Sequence, residues 1–216
     1  MNDDDVATYL KAHPEFFQHQ AELLAQITLS SPHGDAAVSL GERQMGVLRD
    51  KLRRLEGKLA ELIRFGEEND AIAGKVHALA VAIMGANSFG SAARALYSHL
   101  GGGFAVPHVA VRLWGIIPGV EPEFSPVSDA MKTLAGSLAH PYCGSSIGQE
   151  AVEWFGERSG HIRSMAQIPL WNDGKCFGLL VLASEESGRF YPDMGVLYLS
   201  RIGEMAAAVL YRVGGG

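Results

Sequence analysis

The sequence SMAQIPLWNDGKCFGLLVLAS, residues 164–184, decides the fold. Both of its ends are rich in strand-forming residues, and Asn172-Asp173-Gly174 between them is typical of a tight turn. We therefore expect an antiparallel hairpin. The second strand is apolar throughout residues 177–183, which predicts a central strand with both faces of the sheet covered.

Outward from the hairpin, the remaining patterns predict an α+β fold. Residues 107–117 alternate as a strand does, with Val109, Val111 and Leu113 on one side. Helical spacing predicts a helix over 76–100 that is interrupted near 85–90, with Ser88 or Ser91 as the cap of its second piece. It also predicts a helix over 128–138, capped by Ser128 or Asp129, and a last helix from Pro192 onward. A loop is expected through 140–144 and a short strand over 150–155. An antiparallel sheet with helices on both faces accommodates this order.

The first third of the chain is predicted to be helical. Residues 1–35 should form short helices, interrupted at His13-Pro14 and closed by a turn-rich cluster at 30–35. Within the long helix expected over 36–75, apolar residues recur in steps of three and four, the heptad pattern of a coiled coil. The large seam residues are Met45, Leu48, Leu52, Leu55, Leu59 and Leu62.

The heptad pattern has two interpretations. With Met45 at position a, Lys51 and Glu56 fall at the g and e positions that exchange ion pairs between parallel partners. A single amphipathic helix packed on its own domain needs a similar stripe. We expect a homodimer, because so narrow a stripe suits a seam between two helices.

Composition limits the classes of function. The chain has 216 residues, 47% of them hydrophobic and 19% charged, enough for one substantial core plus an extension. The net charge of -6 argues against nucleic-acid and membrane-surface partners, and acidic residues interrupt the one basic run, at 49–58. An acidic start and the absence of a long apolar segment predict a cytoplasmic protein. Residues 214–216 are expected to be a flexible glycine tail.

Several motifs resemble a known family. Ser164-x-Ala166-x-Ile168-Pro169-Leu170, the strand at 177–184 and Arg189-Phe190-x-Pro192-Asp193-Met194 resemble the C-terminal half of a GAF domain. With Pro14-Glu15-Phe16-Phe17 and Pro141-Tyr142-Cys143-Gly144, the whole chain is similar to the DUF484 family of bacterial GAF-like proteins. The resemblance implies a GAF-like domain over 76–213, preceded by the helical extension.

The resemblance also implies a role. GAF domains bind small molecules between one sheet face and the variable loops, and they dimerise through flanking helices. We therefore expect a small-molecule ligand and a protein partner, both unidentified. The chain lacks the Asn-Lys-x-x-Phe pattern of cyclic-nucleotide-binding GAF domains and the Cys-His pair of bilin-linked ones. No cofactor class carries over, and the cofactor is unknown.

The expected ligand site combines polar groups with aromatic and apolar walls, the usual composition of a small-molecule site. The candidate ligand-binding residues are His108, Arg112, Trp114, Tyr142, Cys143, Met165 and Gln167. The alternative is that Arg112 reaches solvent while Trp114 and Met165 fill the core. No metal site is expected, because the eight histidines are scattered and form no His-x-x-x-His pair.

Three functions fit these observations. The first is a non-enzymatic sensory, regulatory or adaptor module, with no catalytic residues. The second is a thiol-dependent reductase in which Cys143 attacks and Cys176 is the resolving thiol. The third is a scaffold protein whose core is filled by its own side chains. We favour the first.

Overall fold

The computed structural model describes residues 2–20, 22–23, 28–31, 34–116 and 119–214. The chain forms two compact units, residues 1–66 and 67–216. The boundary expected from sequence lies nearby, at 75–76. Of the predicted glycine tail, Gly215 and Gly216 lie outside the described residues. Within the described part of the chain, no helix has both the length and the apolar character needed to cross a membrane.

The first unit opens with two short helices, α1 (Asp3–Ala12) and α2 (Phe16–His19). Asn2 caps α1 by accepting a 2.8 Å hydrogen bond from the Asp5 backbone N–H, and the Asp5 side chain accepts one from the Asn2 N–H. The predicted interruption at His13-Pro14 is confirmed. It separates the two helices, because proline disfavours helical geometry in the residue before it.

A small hairpin, β1 (Thr28–Ser31) and β2 (Gly34–Ser39), follows where only helix and turn were expected. The long helix α3 (Leu40–Met84) therefore starts four residues later than the predicted 36. The heptad pattern begins only at Met45, so residues 34–39 lack a hydrophobic period that would have indicated their secondary structure.

The second unit contains a four-stranded antiparallel sheet in the order β3 (His108–Leu113), β6 (Lys175–Ser184), β5 (Ser164–Asn172), β4 (Tyr142–Ser145). The predicted hairpin is confirmed. Its turn residues Asp173 and Gly174 both have positive φ, 46° and 74°, as a two-residue hairpin turn requires. Strand β6 is central and buried from Phe177 to Ser184, as its apolar run predicted.

Helices cover both faces of this sheet, so the predicted α+β class is confirmed. On one face, the end of α3, α4 (Phe89–Ser98) and α6 (Leu197–Gly214) bury a core that includes Leu79, Leu96, Leu180 and Leu210. We call it the helix face. Helix α5 (Asp129–Ser137) and residues 149–161 cover the opposite face, around Met131, Met165 and Val181.

Three helix ends refine the predicted boundaries. Ser88, not Ser91, is the N-cap of α4, and the two side chains form a reciprocal capping pair. Ser128 caps α5 by accepting a 3.0 Å hydrogen bond from the Met131 N–H. Helix α6 begins at Leu197, five residues after the predicted Pro192.

Two predicted elements are wrong. Residues 142–145 form the edge strand β4 where a loop was expected, since four residues containing glycine carry too little pattern to identify. Residues 150–155 are not a strand. They belong to a 3-10 helical segment, Glu150–His161, broken at Gly156, whose backbone (φ 57°, ψ -128°) favours glycine.

Candidate functional site

The structure brings six of the seven candidate ligand-binding residues to one face of the sheet and places the seventh, Cys143, on the other. Strand alternation explains the division. Tyr142 lies opposite Gln167 and Gly144 opposite Met165, so the intervening Cys143 points into the helix face with Ala166. Cys143 was expected in a loop, where alternation does not apply, and the structure separates it from the other six candidates.

Cys143 is 6% exposed and lies in an apolar core. Burial raises the pKa of its thiol to about 11, because the charged thiolate is poorly solvated there. Cys143 lies opposite Ala166 on β5, and Ala166 lies opposite Leu182 on β6, so Cys143 and Leu182 are at the same level of the sheet. Cys176 is six residues from Leu182 along β6. This spacing corresponds to roughly 20 Å, far beyond the ~7 Å Cα separation that a disulfide spans.

The six remaining residues lie on the sheet face that α5 and residues 149–161 cover, and we call residues 149–161 the cap segment. The segment consists of Gln149 and the 3-10 helical residues Glu150–His161. Extended 3-10 helices are uncommon because their hydrogen-bond geometry is poorer than that of an α-helix. Ser128 Oγ fixes its first turn by donating a 2.7 Å hydrogen bond to Glu150 Oε2.

His108 is the first polar residue beneath the cap segment. It is 6% exposed, and the ring of Phe155 lies 5.8 Å from its own, centroid to centroid. Its Nε2 atom is buried and has no hydrogen-bond partner among the described residues. The nearest carboxylate oxygen, Glu185 Oε1, is 3.5 Å away, within ion-pair range if the ring is protonated but too distant for a good hydrogen bond.

Arg112 lies two alternations along the same strand, facing Trp154. Its guanidinium carbon is 5.2 Å from the centroid of the Trp154 ring, and one of its N–H groups donates to the Val111 carbonyl at 2.9 Å. The buried Glu123 carboxylate accepts a 2.7 Å hydrogen bond from Tyr97. Burial and this hydrogen bond raise the pKa of Tyr97, and the nearby Arg112 charge opposes the shift.

Gln167 is the third polar residue and is 1% exposed. Its Nε2 donates a 2.8 Å hydrogen bond to Gln149 Oε1 and contacts Met165 Sδ at 3.3 Å. Gln149 in turn lines a pocket of about 490 Å³, with Ser146, Glu150, Glu153 and Ser159 among its walls. The cap segment therefore contacts all three polar candidates, through Phe155, Trp154 and Gln149.

The other three candidates pack against the core of this face, as the alternative interpretation proposed for two of them. Met165 is fully buried, and Trp114 and Tyr142 are partly buried against the same cluster. The Trp114 indole N–H donates a 3.0 Å hydrogen bond to the Cys176 carbonyl.

Sequence reasoning missed Gln149, Trp154 and Phe155. The available signal was two adjacent aromatic residues in a polar stretch, Glu153-Trp154-Phe155-Gly156-Glu157. Assigning residues 150–155 to a strand concealed it, because a strand would have directed the two rings to opposite sides.

Two open grooves lie on other surfaces of the second unit. One, of about 360 Å³, is apolar and lies between α3 and α6, with Ile83, Met84 and Met205 in its walls. The other, of about 600 Å³, lies beside β5 and the start of α6, between His140, Trp171 and Glu204. The described residues include no group of three or more His, Cys, Asp or Glu side chains arranged to hold a metal ion.

The predicted heptad seam lies on α3, within the first unit. All six seam side chains are exposed in the single chain, between 51% for Met45 and 65% for Leu62. A row of exposed leucines at heptad spacing is unfavourable in water unless a partner covers it.

Comparison with known proteins identifies the family. No curated protein matches the chain. One family profile, described as "Protein of unknown function, DUF484", matches residues 1–213, which is nearly the whole sequence. The chain therefore belongs to the DUF484 family.

Proposed function

We propose that this protein is a homodimeric, non-enzymatic regulatory module of GAF-like fold, in which a small molecule binds the sheet face beneath the cap segment. One observation carries the proposal. Three of the six candidates on that face, His108, Arg112 and Gln167, are each contacted by a cap side chain. A single movement of residues 149–161 would uncover all three.

The buried His108 Nε2, which has no hydrogen-bond partner among the described residues and lies 3.5 Å from Glu185 Oε1, supports the proposal. Leaving a buried polar atom without a hydrogen bond costs about 1–3 kcal/mol, so such atoms are rare unless they serve a purpose. A ligand that pairs with His108 would recover part of this cost. It would thereby favour the state in which the cap segment is displaced, as a population shift requires.

Dimerisation through the seam gives ligand binding a way to act on another molecule. The six exposed seam residues and the spacing of Lys51 and Glu56 support a parallel two-stranded coiled coil. A regulatory module with no catalytic group needs a second surface through which to act, and a partner chain or a second copy provides it.

The thiol-dependent reductase is less well supported. Its nucleophile would be a buried thiol of raised pKa, whereas a reactive cysteine needs a lowered pKa and access to solvent. The distance from Cys143 to Cys176 excludes their pairing without rearrangement of the sheet.

The scaffold protein is the second candidate, and the complete burial of Met165 and Gln167 favours it. The two functions differ in whether the cap segment opens while the rest of the unit stays folded. In a scaffold, residues beneath the cap become accessible only through global unfolding.

Thiol labelling tests this difference directly. Met165→Cys, in a chain also carrying Cys143→Ser and Cys176→Ser, places one thiol beneath the cap segment. The Cys176→Ser chain keeps the natural Cys143, which is nearby in the sheet but on the helix face. With iodoacetamide under native conditions, local opening predicts that the thiol at position 165 reacts at least about a hundredfold faster than Cys143.

The control is the same pair of variants in urea, where both thiols should react at similar rates. Equal native rates would mean that both thiols are reached through one global opening. That result would reject the ligand site in favour of the scaffold.

A further inference from the structure

We propose that the site beneath the cap segment takes a small planar aromatic molecule with a hydrogen-bond acceptor at its edge, such as an aromatic amide or carboxylate. The inference rests on the proposed function, because it assumes that the cap segment moves away from the sheet. Three side chains of that segment now occupy the positions a ligand would take, and their chemistry indicates what can replace them.

Two of these side chains are aromatic rings placed against nitrogen-bearing groups. Trp154 lies 5.2 Å from the Arg112 guanidinium carbon, and Phe155 lies 5.8 Å from the His108 ring. Guanidinium groups are attracted to aromatic faces, and Arg112 has no ion-pair partner among the described residues. An aromatic ring restores this contact when Trp154 leaves, whereas a saturated ring of similar size does not.

The third side chain supplies an acceptor. Gln149 Oε1 accepts the hydrogen bond that Gln167 Nε2 donates, at 2.8 Å. Because Gln167 is 1% exposed, its donor depends on a protein or ligand oxygen whenever the site is closed to water. A carbonyl or carboxylate oxygen on the ligand takes the place of Gln149.

His108 provides the contact that lets a ligand compete with the cap. Its buried Nε2 atom makes no good hydrogen bond to a described residue in the closed site, because the Phe155 ring offers none and Glu185 Oε1 is 3.5 Å away. A molecule whose polar edge reaches this nitrogen gains a hydrogen bond that the cap segment does not make. The ligand class therefore combines a flat ring with polar atoms at the edge.

A pair of probes tests the class on the natural chain. Benzamide has the ring and the acceptor, and cyclohexanecarboxamide keeps the acceptor but lacks the aromatic face. In ¹⁵N-labelled protein the indole N–H signals of Trp114, Trp154 and Trp171 report binding separately. We expect benzamide to shift the Trp154 signal saturably, with at least tenfold higher affinity than cyclohexanecarboxamide.

Two variants locate the site. Gln167→Leu removes the donor that recognises the acceptor and should weaken benzamide binding at least fivefold. Trp171→Phe changes the 39% exposed indole outside the site and should leave binding unchanged. If Gln167→Leu does not fold, the comparison of the two amides on the natural chain still decides the class.

The outcomes separate this inference from the proposed function. Equal affinity of the two amides at Trp154 would overturn the aromatic class while leaving a ligand site in place. Shifts confined to Trp171, or no saturable shift with either amide, would also overturn it. Equal labelling of the thiol at position 165 and Cys143, in the experiment above, would remove the site itself.

Discussion

At the scale of single residues, the alternation of side chains along β4 determines the environment of the Cys143 thiol. The neighbouring Tyr142 faces the cap side of the sheet, while the Cys143 thiol is enclosed in the helix face. Its pKa of about 11 leaves about a hundredfold less thiolate at pH 8 than an ordinary thiol of pKa 9 has. Burial and the raised pKa both favour a packing role for Cys143 over nucleophilic attack.

We predict that Cys143 reacts slowly with Ellman's reagent. In the Cys176→Ser chain at pH 8, the folded protein should react at least about a hundredfold more slowly than the urea-unfolded protein, because access and thiolate fraction both fall. The Cys143→Ser chain, which keeps the half-buried Cys176, is the matched control. Rapid labelling of native Cys143 would restore the reductase as a candidate.

The same pKa shift has a consequence for stability. The folded-state pKa is raised, so the neutral thiol stabilises the fold fully below pH 9, the pKa of the unfolded chain. As the pH rises from 9 towards 11, the unfolded state loses its proton first, and this contribution is lost. Cys143 thus contributes to unfolding in alkali and not in acid.

The polar candidates show what a sequence reveals about a site. His108 and Arg112 were identifiable because they alternate with apolar residues on a strand that has two covered faces. Their partners Trp154 and Phe155 were not, because they lie more than 40 positions away in a segment without a regular period. Alternation along one strand identifies the side chains on one side of a site. The side chains that face them are determined by tertiary packing.

At the scale of elements, the junction between α5 and the cap segment depends on Ser128. Its Oγ accepts from the Met131 N–H at 3.0 Å and donates to Glu150 Oε2 at 2.7 Å, so one hydroxyl caps a helix and holds the adjacent segment. The sequence predicted a helix start here, with either Ser128 or Asp129 as the cap. It did not predict the second hydrogen bond, which joins residues 22 positions apart.

We predict that Ser128→Ala lowers the free energy of unfolding by about 1 kcal/mol, the usual cost of losing an N-cap. The same change should speed labelling of the thiol in Met165→Cys, because the cap segment loses an anchor. Ser137→Ala, at the exposed end of the same helix, should change stability by less than about 0.5 kcal/mol. Urea unfolding measures the first effect. Faster labelling in the Ser137 variant alone would contradict the assignment.

Predictability differed between elements for a physical reason. The β5–β6 hairpin and α4, α5 and α6 have periods of two or 3.6 residues over nine or more positions, and these elements were predicted. Strand β4 has four residues, and the cap segment has a 3-10 geometry broken by Gly156. Neither presents enough repeats for its period to be recognised.

At the scale of the whole molecule, the hairpin and the order of the other predicted elements together predicted the α+β class, because a strand apolar on both sides requires a covering layer on each face. The heptad pattern likewise predicted a row of large apolar residues along α3, and the structure leaves that row exposed in the single chain. The cover we propose for that row is a second copy of the chain, which the sequence indicates through the charges beside the seam.

We predict that the protein sediments as a dimer and that Leu52→Asp with Leu55→Asp yields a monomer of 23.1 kDa. Two carboxylates in the seam would have to lose their hydration for the chains to associate. Val47→Asp is the matched control, because Val47 is also a 50% exposed apolar residue of α3 but lies at heptad position c. A dimer that persists in the double variant would contradict the seam.

The charges at the seam make the direction of pairing testable as well. In a parallel dimer Lys51 of one chain lies beside Glu56 of the other, so Lys51→Glu places like charges together and should weaken dimerisation by about 0.5–1 kcal/mol per pair. Adding Glu56→Lys restores opposite charges and should recover the dimer. Sedimentation equilibrium at low salt measures both dissociation constants. In an antiparallel dimer the two residues do not meet, so the second substitution would bring no recovery, and that outcome would overturn parallel pairing while leaving the seam intact.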